Sequence, residues 1–204
     1  MPSFELYDRF GNLLGPARGD RGSGSLLTAN NMALFDAAVE RGNVYAIANQ
    51  TTVTTQAGLS ATTPALTIAN RIGSGKSVRL WYCSATSLVA AVAAAAWWAC
   101  LGGYSATAVT ETTNATVRNM KTGDASPNPQ GVACLAVATL PAAPVAVGVL
   151  GGQLTGAITT GDLAPFYERW YNGALRIQEG YNFTIQTSTA STLFCEYIFE
   201  IVDK

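Results

Sequence analysis

Leu193, Cys195, Tyr197, Phe199 and Ile201 recur at every second position near the C-terminus, with Glu196 and Glu200 among the residues between them. An apolar period of two over that length describes a strand with one buried face and one wet face. Laid on a helix, the same residues would scatter around its circumference. The alternation repeats upstream, where Tyr181, Phe183 and Ile185 share a face opposite Asn182, Thr184 and Gln186, and where Val78, Leu80 and Tyr82 alternate with Arg79, Trp81 and Cys83. Further strand-like runs cover Val132–Ala138, Val145–Leu150 and Phe166–Tyr171, and Leu175 and Ile177 make another before the Glu179-Gly180 turn. From Asn43 onward about ten such runs are separated by Gly, Pro, Asn and Ser, with no helices alternating between them. That pattern predicts an all-β, antiparallel β-sandwich.

Composition limits the chemistry. Charged residues supply 12% of the 204 positions, against roughly 25% in an average soluble domain. Lys+Arg (12) and Asp+Glu (13) nearly cancel, so no basic field exists to attract phosphates, and nucleic acid is not expected as a partner. The chain has no histidine, which excludes imidazole acid–base chemistry, His-ligated zinc and a histidine proton switch. The cysteines, Cys83, Cys100, Cys134 and Cys195, are scattered in apolar stretches without a C-x-x-C pair and read as buried thiols. Glu111, Asp124, Asp162, Glu168, Glu179, Glu196 and Glu200 show no spacing that pairs them. Glu196 and Glu200 are expected to be solvated on one strand face. No catalytic residue, cofactor or metal is therefore expected.

Two short motifs read as local structure. Gly73-Ser74-Gly75-Lys76-Ser77 resembles the end of a phosphate-binding loop, but Asn70 stands where that motif requires glycine, and a strand pattern follows where a helix is needed. Arg18-Gly19-Asp20 lies in a Gly/Arg/Ser-rich linker and reads as a chance tripeptide. The longest apolar run, Leu88 to Leu101, is shorter than the ~20 residues of a spanning helix, so no membrane is expected. The N-terminus lacks the pattern of a signal peptide, making cytoplasmic synthesis the expectation and giving the N-x-[ST] sites at Asn49, Asn114 and Asn182 little weight.

Residues 1–45 differ from 46–204. Phe4–Asp8 alternates like a strand, Gly11-Asn12 offers a turn, and Gly15–Ser25 is a flexible basic linker. Thr28–Asn31 supplies caps for a helix over Met32–Arg41, and Gly42 terminates it. These elements predict an extended arm carrying a short helix, of the kind that holds on to neighbours. The tract Ala90–Ala96 reads either as a small-residue crossing between two strands or as a buried helix. Trp81 falls opposite its apolar neighbours, and Trp97 and Trp98 point to opposite sides of any strand. With Trp170, and with Phe4, Leu6, Tyr7, Arg18 and Arg21 of the arm, they are the candidate interface residues, because Trp, Tyr and Arg are enriched where proteins meet.

The order of elements resembles the jelly-roll virion proteins of tailed bacteriophages that decorate and cement capsids. The resemblance is carried by the turn Asn70–Lys76 leading into an aromatic strand and by Val117–Gly123. It continues in the stretch Gly173–Thr187 and in the last strand with Glu196 and Glu200, and covers roughly residues 45–204. It implies a double-sheet roll, commonly trimeric and without catalysis, on the capsid surface, with the chain itself and a major capsid protein as partners. A receptor- or carbohydrate-binding module of a tail fibre is the alternative that the same roll allows.

Overall fold

The computed structural model describes residues 4–7, 13–17, 25–50, 53–87, 94–153 and 166–204, with side chains described for 33–50, 54–87, 94–152 and 166–204. Contacts divide the chain into two units, 1–38 and 39–204. In the first, β1 (Phe4–Tyr7) pairs antiparallel with β2 (Leu13–Ala17). Helix α1 (Ser25–Glu40) opens seven residues before the predicted start. Thr28–Asn31 consequently lie in its first turns rather than capping it, and Ser25, also a capping residue type, takes the first position. At the helix end, Gly42 has φ +74° and its amide donates to the Val39 carbonyl, a C-terminal cap that favours glycine.

The second unit contains β3 (Val44–Ala48), β4 (Val53–Thr54), β5 (Thr67–Asn70), β6 (Lys76–Thr86), β7 (Ala95–Gly102), β8 (Thr110–Asn114), β9 (Val117–Asn119), β10 (Val132–Thr139), β11 (Val145–Gln153), β12 (Phe166–Ile177), β13 (Asn182–Thr187) and β14 (Thr192–Asp203). Its antiparallel pairs are nested: β7 with β11, β6 with β12, β5 with β13 and β3 with β14. A chain folded as one long hairpin and then wrapped on itself produces this nesting, with β3-β14-β6-β12 in one layer and β5-β13-β7-β11 in the other. This is a jelly-roll order of strands. The excursion between β7 and β11 returns to the far side of the roll, placing β9 beside β3 and β10 and β8 beside β5. The layer containing β14 carries most of the strand charges and is the charged sheet, and the layer containing β13 is the neutral sheet.

The inner faces make the core. Leu193, Cys195, Tyr197, Phe199 and Ile201 of β14 are buried there with Phe183 and Ile185 of β13, as the alternation predicts. Phe183 and Tyr197 meet edge to face, with ring centroids 5.2 Å apart. The Tyr197 hydroxyl, wholly buried, donates to the Leu66 carbonyl at 2.7 Å and accepts from the Ile185 amide at 3.1 Å. One side chain of the charged sheet thus satisfies backbone groups belonging to the neutral one.

Two expectations fail at a single bulge. Val78 and Leu80 face the core, but Trp81 is an extra residue between pairs Leu80–Phe199 and Tyr82–Ile198. The alternation therefore changes phase, Cys83 and Ala85 take the inward positions, and Tyr82 turns outward. On the other side of β6, four residues of β12, Tyr171 to Ala174, stand opposite Trp81 alone in the register, helped by Asn172 at φ +51° and Gly173 at φ +74°. Hence Phe166–Tyr171 and Leu175–Ile177 are one bulged strand rather than two. The Ala-rich ambiguity resolves only at its end, where Ala95 and Ala96 open β7, because residues 88–93 lie outside the described residues.

Tyr197→Phe removes the hydroxyl and leaves a buried carbonyl and amide short of a partner, at ~1–3 kcal/mol each. Urea unfolding of this variant is expected to show a lower midpoint with an unchanged slope.

Candidate functional site

The low overall charge is an average over two unlike sheets. Among the described strands of the neutral sheet (β5, β7, β8, β10, β11 and β13), Glu111 is the one charged residue. The other sheet carries Lys76, Arg79, Arg118, Glu168, Arg169, Arg176, Glu196, Glu200 and Asp203. The two flanks of the sandwich differ as well. On one, the terminal strands are β8, wholly exposed and reading Thr-Glu-Thr-Thr-Asn, and β9, with exposed Arg118. On the other they are β11 and β12, which expose Val145, Val147, Val149, Phe166 and Trp170.

Glycines let those two edge strands close on each other. Tyr167 lies over Gly151 with no room for a Cβ between them, and its hydroxyl donates to the Gly152 carbonyl at 2.6 Å. Arg169 occupies the corresponding space at Gly148, with its guanidinium 5.2 Å from the centre of the Tyr171 ring. On the outer face, Trp170 packs on Tyr82 with centroids 4.7 Å apart, and the Tyr82 hydroxyl donates to Glu168 at 3.0 Å. Burial pushes the Tyr82 phenol up, so this hydroxyl remains a donor.

The tryptophans divide. Trp170 is 54% exposed, and Trp98 is half-buried on the outer face of the neutral sheet between Val149 and Gln186. Trp97 is fully buried, edge-on to Tyr167 at 5.3 Å. Trp81 is 5% exposed because the bulge of β12 lies over it, a Cβ at Gly173 standing 3.7 Å from its indole. Neither Trp97 nor Trp81 presents its ring at the surface, which corrects their assignment to an interface. Phe4, Leu6 and Tyr7 are in β1 without described side chains, and Arg18 and Arg21 lie outside the described residues. Val145, Val147, Val149 and Phe166 are exposed apolar residues outside the set expected at an interface. For the three valines the signal was the absence of any charge from Ala125 to Gly161.

The loop between β5 and β6 is already filled by the chain itself. Glu179 accepts from the Gly75 amide at 2.6 Å and pairs with Lys204, while Lys76 pairs with Asp203. Asn70 is buried. It donates to the carbonyls of Lys76 (2.9 Å) and Ile177 (3.0 Å) and accepts from the Ser74 hydroxyl at 2.7 Å. The residue that breaks the phosphate-loop motif is therefore what holds this turn together.

The carboxylates are similarly engaged. Arg71 grips Glu111 through two bonds of 2.6 and 2.5 Å, and its guanidinium is held above the usual range by that bond. Glu200, expected to be solvated, is 1% exposed, because Arg41 at 3.1 Å and Arg79 at 3.6 Å compensate its charge. Asp162 lies outside the described residues. Among the described residues no cluster of three His, Cys, Asp or Glu could hold a metal, and no helix is long and apolar enough to cross a membrane. A cleft of about 370 Å³ lies between Arg71, Glu111, Tyr181 and the loop Ser105–Val109, and another of about 360 Å³ lies over Ala46 and Ala48 with Arg118 and Glu196. Of the N-x-[ST] asparagines, Asn49 and Asn182 are buried.

All four thiols are free and buried. Burial pushes Cys83 and Cys100 from 9.0 up to about 12, and Cys134 and Cys195 higher still. No protein-family model, no curated protein and no solved structure matches this chain.

Three outcomes are expected. An aromatic disulfide reagent at pH 8 should leave the native thiols untouched and label them after denaturation. Because the folded thiols hold their protons where unfolded ones release them, stability should fall as pH rises from about 9 to about 12. Asn70→Gly completes the phosphate-loop motif, yet it should bind no nucleotide by calorimetry and should lower stability by ~1–3 kcal/mol for each buried group it orphans.

Proposed function

We propose that this chain is a non-enzymatic structural protein of a virion, a decoration or cement protein that oligomerises, as a trimer in the resemblance, and stabilises the head of a phage. The observation that carries the reading is the segregation of charge: one sheet and one flank offer apolar and neutral surface, which suits coverage by copies of the chain and by a shell. Glu111, Glu168, Glu179 and Glu200 are engaged in local structure and the four thiols are buried, which favours adhesion as the mechanism. In this reading the roll supplies area, the Phe4–Arg41 arm reaches across capsid subunits or a neighbouring protomer, and the partner is the major capsid protein at the capsid surface.

Particles purified from the source are expected to contain the chain in stoichiometric amount. Particles assembled without it should release their DNA at lower temperature, with re-addition of the chain restoring the difference. Absence of the chain from purified particles would sink the reading.

A second reading, a carbohydrate-binding module, is favoured by the exposed Trp170 ring held on Tyr82 beside Glu168, an aromatic face next to a hydrogen-bond acceptor. A glycan array whose signal disappears in Trp170→Ala is its expected signature.

A further inference from the structure

We propose that the flank formed by β11 and β12 is the surface through which copies of this chain meet in a closed, symmetric oligomer. This deepens the assembly reading and rests on it for the kind of partner. The two strands terminate the two sheets on the same side of the sandwich and are joined by the Tyr167 hydroxyl on the Gly152 carbonyl. Each therefore has one long edge with no strand of its unit beside it among the described residues. Natural edge strands are shielded by lysine, proline or inward charge, but β11 contains none of these. Instead Val145 and Val149 are 64% and 65% exposed, and Phe166 on β12 is 56% exposed. A two-strand flank of this length has an area on the order of 600 Å² per copy, at the lower end for a specific interface.

The occupant follows from what the rest of the molecule offers. The opposite flank, with Glu111 on β8 and Arg118 on β9, cannot cover valines without desolvating charge for no return. Head-to-tail stacking of the two flanks is thus disfavoured, and with it an open filament. The surface that matches the apolar flank is the same flank of another copy, which gives closed symmetry. Charge supports the match: Glu168 and Arg169 are adjacent on β12, and neither is ion-paired among the described residues. A rotation axis beside the flank brings Glu168 of one copy toward Arg169 of the next.

The test is sedimentation of the full chain and three variants across micromolar concentrations, with circular dichroism verifying each fold. Val149→Lys and Trp170→Glu alter the apolar flank, and Thr112→Lys on β8 alters the polar one. The native chain and Thr112→Lys are expected to form the same discrete oligomer, and the flank variants to dissociate at concentrations at least a hundredfold higher. If Val149→Lys fails to fold, Val149→Thr keeps the strand and is expected to weaken association in the same direction. A native oligomer unaffected by the flank variants overturns the proposal while leaving the assembly reading standing. A native chain that is monomeric throughout overturns it too, and the assembly reading is then judged separately by whether purified particles contain the chain. Loss of glycan binding in Trp170→Glu without change of oligomeric state assigns the flank to a sugar instead and counts against the proposal.

Discussion

Nested antiparallel pairing is the constraint on which the second unit depends. Each strand on the way out, β3, β5, β6 and β7, has its partner on the way back, so β14 and β13 end between earlier strands rather than beside them. These two returning strands are accordingly the most deeply enclosed: β13 is buried at every residue, and β14 supplies a run of core side chains. The inner pairs of the nest, β7 with β11 and β6 with β12, finish at the side of the roll. The excursion between β7 and β11 protects the opposite side with β8, β9 and β10, and β11 and β12 are the terminal described strands of the other flank. The distribution of surface is a result of winding order as much as of composition.

The alternating runs were legible because period-two burial is a local property of a pleated strand. β10, β11, β13 and β14 lie where their side-chain patterns place them. The pattern misled where register depends on a neighbour. Nothing local in Trp81 or in Tyr171–Ala174 announces a bulge, because it exists only as a mismatch between two strands. Glu200 was misjudged for a similar reason: its partners Arg41 and Arg79 are remote in sequence, and only the pairing of β14 with β6 and the turn after α1 brings them near. Of the candidate site, Trp98 and Trp170 were expected together with Trp81 and Trp97, and nothing local separated the exposed rings from the buried ones. The valines of β11 were not legible, because valine reads as core unless the strand's position at an edge is known.

The same logic revises the meaning of the charge content. A figure of 12% suggests a uniformly bland surface, but the fold sorts the charges onto one sheet and engages many of them there. Glu179 fills the turn that resembles a phosphate loop, Asp203 pairs with Lys76, and Glu200 sits between two guanidiniums. Charge in this molecule largely secures turns and strand ends, and the neutral sheet is left without a comparable set.

The Tyr197 hydroxyl has a mechanical corollary. Apolar contact between two sheets resists separation but opposes sliding only weakly, since one methyl can replace another at little difference in energy. A hydroxyl bonded at once to the Leu66 carbonyl and the Ile185 amide is directional, and displacing one layer along the other by a fraction of a residue breaks both bonds. It acts as a dowel between two boards. Shear along the strands is resisted at that point from the first displacement.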